Sequence, residues 1–261
     1  MRSKRGPEPA AQAAAPAAAS EAGPFAAERA GLNLYAENSL HAQIKLYLAR
    51  PGDRVEAPVD GKVVDLVRAD GELVEVQTGS LGKIAPKVLA FAAAGRRVRV
   101  VYPIAAETSI RRLDPATGEL VSTRRSPKRG DLYELFDELV RAAGLIAAPR
   151  VTVEVLFVRD LVTRTRDGSG SWRRRGDRTL DRELVEVLSS QAFRTSTQWL
   201  ALIPKTLPEP WTSASLGESL GIESWRARKI LYCFARDGLV DETEKAGRRK
   251  AYLRRPRSRH I

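Results

Sequence analysis

Residues Lys62 to Gln77 read KVVDLVRADGELVEVQ: two short apolar runs, Val63-Val64-Asp65-Leu66-Val67 and Leu73-Val74-Glu75-Val76-Gln77, joined through Asp70-Gly71. β-Branched residues on either side of an Asp-Gly pair are a hairpin signal. Each run carries one carboxylate among apolar neighbours, where an ionised group costs on the order of several kcal/mol unless a cation or donors compensate it. Two such carboxylates in adjacent strands suggest a cation site. Whether they meet depends on the turn. Opposite residues of an antiparallel pair share a face, so Asp65 faces Glu75 only if paired residue numbers sum to 140. That register needs a three-residue turn, Ala69-Asp70-Gly71, with Gly71 left-handed in a bulge. A two-residue Asp70-Gly71 turn instead pairs Asp65 with Val76 and sends the carboxylates to opposite faces. Gln77 shares the face of Glu75 in either case.

Working outward, Leu40, Ile44, Tyr47 and Leu48 recur at the spacing of a core-facing helix that Arg50-Pro51-Gly52 stops. A strand over Arg54 to Val59 follows, with Asp60-Gly61 as a second hairpin signal. The pattern predicts a helix over Ser80 to Ala94, with Pro86 in its first turn or at a kink, and a buried strand over Val98 to Ile104. Ile110 to Leu113 and Leu120 to Thr123 flank a turn and are expected to pair. A helix over Leu132 to Ala143, a strand over Val151 to Val158 and a short helix around Arg182 to Ser190 complete the reading. The expected organisation is a tail over 1–30, an α/β domain over 31–165, a linker and helix over 166–190, and a second domain over 191–256.

Composition bounds the function. The chain has 261 residues with 44 Lys plus Arg against 32 Asp plus Glu, a formal net charge of +12 that favours polyanionic partners. The surplus is concentrated at the end: Lys245 to Ile261 contains no acidic residue. Cys233 is the single cysteine, which excludes an intrachain disulfide and a thiolate-rich zinc site. No apolar run approaches the roughly 20 residues that span a bilayer, and the Ala/Pro-rich start is too weakly apolar for a signal peptide, so a cytoplasmic protein is expected. His41 alone reads as a helix-surface residue. Arg124, Arg125, Lys128 and Arg129 read as a solvated loop able to hold a phosphate backbone, and Trp172 beside Arg173 to Arg175 as a packing side chain with a solvated arginine run.

Near the C-terminus, Thr212 can cap a helix with Leu216 and Leu220 inward, and Gly221 supplies a turn. Ser224 is then placed to cap a second helix with Ala227, Ile230, Leu231 and Phe234 inward and Gly238 as its stop. Leu239-Val240 and Ala251-Tyr252-Leu253 flank a polar turn. This order resembles the winged-helix family. The resemblance implies a small α+β domain whose second helix enters the major groove of double-stranded DNA through Trp225, Arg226, Arg228, Lys229 and Tyr232. Lys245, Arg248, Arg249 and Lys250 would then lie on the wing.

The leading helix with Glu37, the hairpin with Asp65 and the strand with Glu75-Val76-Gln77 resemble the PD-(D/E)XK nuclease superfamily. That resemblance implies a restriction-endonuclease-like mixed sheet flanked by helices. It also implies Glu37, Asp65 and Glu75 as ligands of Mg²⁺ or Mn²⁺, an ion that activates water for phosphodiester hydrolysis. His41 and Lys45 share a helix face with Glu37. Gln77 stands where the family has lysine, and Lys83 or Lys87 on the next helix is positioned to supply a displaced ammonium. The layout, including Glu37-Asn38-Ser39-Leu40-His41 and Ser126-Pro127-Lys128-Arg129-Gly130, also resembles a bacterial family of unknown function. The expectation is a metal-dependent DNA endonuclease targeted by a winged helix, with Asp65, Glu75, Gln77, Lys83 and Lys87 as its catalytic set and a homodimer as an allowed assembly. The alternative is a non-catalytic DNA-binding regulator with a degenerate nuclease-like domain.

Overall fold

The computed structural model of the chain describes residues 39–170, 176–246 and 249–255, with backbone only for 244–246 and 249. The expected tail, Glu37, the Trp172 to Arg175 run and Arg248 lie outside the described residues.

α1 (Ser39–Leu48) leads into three strands, β1 (Arg54–Val59), β2 (Lys62–Val67) and β3 (Leu73–Val76), joined as an antiparallel meander. The β1–β2 turn is a two-residue one. Val59 pairs with Lys62, and Asp60 and Gly61 have φ of 48° and 74°, the left-handed pair that a tight hairpin requires. α2 (Leu81–Ala93) crosses over, so that β4 (Val98–Leu113) lies parallel to β3. β6 (Val151–Arg166) is parallel to β4, and β7 (Asp177–Phe193) runs antiparallel to β6. The sheet order is β1-β2-β3-β4-β6-β7, with β5 (Leu120–Arg125) paired to β4.

The result is an α/β fold with a mixed sheet flanked by helices. α1 covers one face, where Leu40 and Ile44 pack with Leu66, Val74, Val76, Val101 and Leu156. α2 and α3 (Leu135–Leu139) cover the other, where Val88, Phe91 and Leu139 join Val100 and Val153. Tyr47, expected inward, is 47% exposed. Among the described residues no helix is long and apolar enough to cross a membrane.

Three strands are far longer than their sequence patterns predict: β4 and β6 have 16 residues each and β7 has 17. β3 pairs only with Val98 to Val101 of β4. Further along, the same edge is capped by Gly130 N–H on the Ala105 carbonyl and Ser126 N–H on the Thr108 carbonyl, both at 2.8 Å, before β5 takes over at Ser109. Gly130 is required for this approach: a Cβ there would stand 2.5 Å from the Ala105 oxygen and 2.6 Å from Ile104 Cγ2. Gly130→Ala is therefore expected to cost about 1–3 kcal/mol, because the overlap is partly with rigid backbone. Urea denaturation checks it, and an unchanged midpoint would contradict the fit.

The helix expected around Arg182 to Ser190 is part of β7. Register shifts opposite Phe157/Val158, Arg159/Asp160 and Thr163/Arg164 break the two-residue alternation, which leaves Leu184 and Val187 packed on one cluster at a helix-like spacing of three. The helix expected over Leu132 to Ala143 is a 3-10 turn (Leu132–Glu134) followed by α3, which ends at Leu139.

The C-terminal part comprises α4 (Ser196–Leu200), β8 (Trp211–Thr212), α5 (Ser213–Leu220), α6 (Ser224–Arg236), β9 (Val240–Ala246) and β10 (Arg249–Arg254), with a three-stranded sheet ordered β8-β10-β9. Thr212 caps α5 by accepting from Ser215 N–H at 3.1 Å, and Gly221 closes it at φ 65°. Glu223, not Ser224, occupies the N-cap of α6, and its side chain makes no capping bond. Ala227, Ile230, Leu231 and Phe234 are all fully buried. They belong to the same apolar cluster as α2, α3 and the sheet, so one continuous core joins the two parts.

Candidate functional site

The β2–β3 register decides the site. Leu66 pairs with Val74 and Val67 with Leu73, so paired numbers sum to 140 and Asp65 stands opposite Glu75. The turn is the three-residue one, with Gly71 at φ 82° and Arg68 N–H bonded to the Glu72 carbonyl at 2.9 Å. Beyond Leu66 and Val74 the ladder ends. Val76 N–H is donated instead to Asp65 Oδ2 at 2.8 Å, so the carboxylate takes a backbone acceptor's place where the strands part. On the other side of β2, Ala57 pairs with Val64 and Val55 with Leu66, leaving Glu56 across from Asp65 at a left-handed φ of 48°. Glu56 accepts from the buried Lys45 ammonium at 2.8 Å.

His41 on α1 closes the group from above. Its Nε2 lies 2.8 Å from the Val76 carbonyl and 3.5 Å from Asp65 Oδ2. A carbonyl oxygen only accepts, so Nε2 carries the hydrogen. From the opposite helix, Lys87 Nζ sits 2.6 Å from Glu75 Oε1, an ionic contact without hydrogen-bond angles; the ammonium also donates to the Val63 carbonyl. Glu75 is 4% exposed.

The two carboxyls are driven apart in acidity. Burial raises Asp65, but the hydrogen bonds from His41 and Val76 N–H and the charge of Lys45 together hold it below its ordinary value. Burial lifts Glu75 above its ordinary value, and Asp65 adds to this while Lys87 opposes it. A carboxyl with a lowered folded pKa stabilises the fold above its unfolded pKa and loses that contribution as pH falls through the folded one. The stability gap between wild type and Asp65→Asn is therefore expected to be present above the ordinary Asp value of 3.8 and to close as pH falls below it. Urea midpoints on both sides of that value measure it, and a gap that ignores pH would contradict the assignment.

Of the remaining residues singled out from sequence, Gln77 is turned to the start of α2, where Nε2 donates to the Ser80 carbonyl at 3.1 Å. Lys83 is exposed on α2. His41, read as a surface residue, is mostly buried against Asp65, because α1 lies across the gap between β2 and β3. Glu37 lies outside the described residues, and among those described no three His, Cys, Asp or Glu side chains are grouped to hold a metal. Arg68 is taken by Asp53 and the Leu48 carbonyl, and Lys62 lies over the Phe91 ring. Glu56 escaped the sequence reading although a signal existed: a two-residue Asp60-Gly61 turn places it opposite Asp65.

On α6, Trp225, Arg228 and Tyr232 form an exposed ridge. Arg226 makes a bidentate contact with Asp131 at 2.6 and 2.9 Å, and Lys229 meets Asp137 at 2.8 Å, so one cation is engaged just ahead of α3 and the other by α3 itself. Lys250 bonds Glu242 at 2.8 Å; the side chains of Lys245, Arg248 and Arg249 lie outside the described residues. Burial pushes the Cys233 thiol up to about 12, so it is no nucleophile at neutral pH.

A family model described as "Domain of unknown function (DUF8091)" matches residues 38–194, which span α1 through β7 and the whole Asp65–Glu75 group. A protein of Treponema pallidum (strain Nichols), named "Uncharacterized protein", is 30% identical over 226 residues, covering 86% of this chain and 88% of that protein. No solved structure matches the chain.

Proposed function

Because the chain belongs to the family of the domain of unknown function DUF8091, its chemistry has to be read from its own residues, and we propose that it is a metal-dependent phosphodiesterase acting on DNA. In this reading the mixed sheet is restriction-endonuclease-like and the C-terminal elements form a winged helix. The carrying observation is the register that sets Asp65 opposite Glu75 where β2 and β3 part, with the Lys87 ammonium against Glu75.

The residues suit a magnesium-type ion. Such an ion usually takes one or two carboxylates and keeps several waters, and Asp65 and Glu75 are two carboxylates on neighbouring strands, with Glu75 Oε1 held by the Lys87 ammonium at 2.6 Å. Asp65 and Glu75 would hold it, and when bound it would acidify a water and offset charge developing on the phosphate. His41 orients Asp65 and the Val76 carbonyl. Lys87 supplies the positive charge that Gln77 cannot.

The helix–strand–helix–helix–strand–strand order of α4 to β10, with β10 central in its sheet, supports the winged-helix part. Trp225, Arg228 and Tyr232 are the α6 side chains left to face a duplex, and the net charge of +12 favours that partner.

A second reading, DNA binding without cleavage, is favoured by one observation: the Lys87 ammonium sits where a metal would offset Glu75, and no third donor joins among the described residues. Nicking of a supercoiled plasmid in Mg²⁺ or Mn²⁺, with EDTA as control, separates the two. The hydrolytic reading expects nicks that EDTA abolishes. Retention of DNA that is indifferent to EDTA, with no nicks, supports the second.

A further inference from the structure

The exposed ridge of α6 narrows the kind of DNA the chain takes. Trp225 and Tyr232 are 49% and 48% exposed, although rings of this size bury most of their surface in most folds. They stand seven residues apart, which places them about 10.5 Å from each other along one line of the helix surface. Arg228 lies between them, exposed and without an ion pair among the described residues. α6 contains no acidic residue.

Each ring has a cation over one face. Lys229 Nζ lies 4.7 Å from the centre of the Trp225 ring and is held there by Asp137 at 2.8 Å. The Arg236 guanidinium lies 5.5 Å from the centre of the Tyr232 ring and is fixed by Asp237 at 2.7 Å and the Val140 carbonyl at 2.9 Å. Cations anchored in this way order the rings before a ligand arrives and leave the opposite ring faces open.

Such a ridge suits the faces of bases more than their edges. Arg226 and Lys229, the side chains of α6 best able to read base edges, are held by Asp131 and Asp137, so aromatic surface is most of what projects. In a duplex the base faces are hidden in the stack and only edges reach the grooves. An unpaired strand offers its faces, and aromatic side chains hold such strands by stacking. The spacing agrees: about 10.5 Å is roughly three times the 3.4 Å advance of a stacked strand, so bases on the two rings are unstacked from each other.

We propose that α6 holds an unpaired stretch of DNA, with one base stacked on Trp225, another on Tyr232 and a phosphate between them at Arg228. The inference rests on DNA as the partner and not on hydrolysis. It narrows the substrate to DNA that carries a single-stranded region.

Fluorescence anisotropy of the full chain in EDTA tests it, with a labelled oligothymidylate alone and the same strand annealed to its complement. The single strand is expected to bind at least about tenfold tighter than the duplex. Trp225→Ala and Tyr232→Ala should each weaken the single strand at least about fivefold and leave the duplex unchanged. Trp225→Phe, which keeps a ring, should recover most of the loss and so separates stacking from a disturbed fold. Arg228→Ala should lower the salt dependence of single-strand binding by about one released counterion. A duplex that binds as tightly as the single strand, single-strand binding untouched by Trp225→Ala, or unchanged salt dependence in Arg228→Ala would each overturn the proposal. The titration in EDTA reads binding without metal, so it fails only with this inference, whereas absent nicking in Mg²⁺ or Mn²⁺ fails only the hydrolytic reading.

Discussion

Phe136→Ala is expected to lower the unfolding free energy by about 3–5 kcal/mol, the range for truncating a fully buried aromatic. Phe136 has no exposed surface, and its ring meets Trp199 edge-on at 6.1 Å and Phe234 edge-on at 5.7 Å. Trp199 in turn stacks on Phe193 of β7 at 4.1 Å. One side chain of α3 therefore ties α4 and α6 to the sheet, and the cavity left by its removal is walled by rings that cannot collapse freely. The same variant should loosen α6 from the segment that engages Arg226 and Lys229. Urea unfolding followed by both tryptophan fluorescence and far-UV circular dichroism measures the effect. A loss below about 1 kcal/mol would contradict the shared core.

The second large effect is on catalysis. Lys87→Ala is expected to lower metal-dependent nicking by about 100- to 1,000-fold, the usual loss when a preorganised charge or donor is removed from a developing anion. Lys83→Ala, four residues earlier and exposed, should leave the rate unchanged. Gln77 explains the arrangement: its amide is spent on the Ser80 carbonyl, so the positive charge at Glu75 comes from the helix and not from the strand. Equal rates for the two lysine variants would remove Lys87 from the chemistry.

The register that sets Asp65 across from Glu75 was legible in the sequence because turn chemistry fixes register. Ala69-Asp70-Gly71 left two registers open, and the structure contains the three-residue one, which sets Asp65 across from Glu75, although their partners His41 and Lys87 come from helices on opposite faces of the sheet. Local caps were readable for a related reason. Thr212 and Gly221 act within their own turns, so their roles depend on a few neighbouring residues. β7 was not legible, because three register shifts opposite β6 erase the alternation that marks a strand and imitate helical spacing. Ile110 to Leu113 pair with β5 as expected, whereas the stretch of β4 between Ile104 and Ile110 was missed because its edge is completed by the irregular segment around Gly130, a contact between distant parts of the chain. Arg226 and Lys229 look free on a helical wheel, and their partners Asp131 and Asp137 lie about 90 residues away in the sequence. The buried Asp160 carried no signal at all, since it falls past the end of the strand expected over Val151 to Val158, where a charged residue reads as solvent-facing.

The most direct measurement is the rate of plasmid nicking at saturating Mn²⁺ by wild type and by Asp65→Asn, with folding of both verified by circular dichroism. Asp65→Asn keeps the shape of the side chain and removes its charge, so a loss of at least about 100-fold is predicted if Asp65 and Glu75 hold the ion that drives hydrolysis. Nicking by wild type and variant at the same rate would contradict the assignment of this group as the reactive centre.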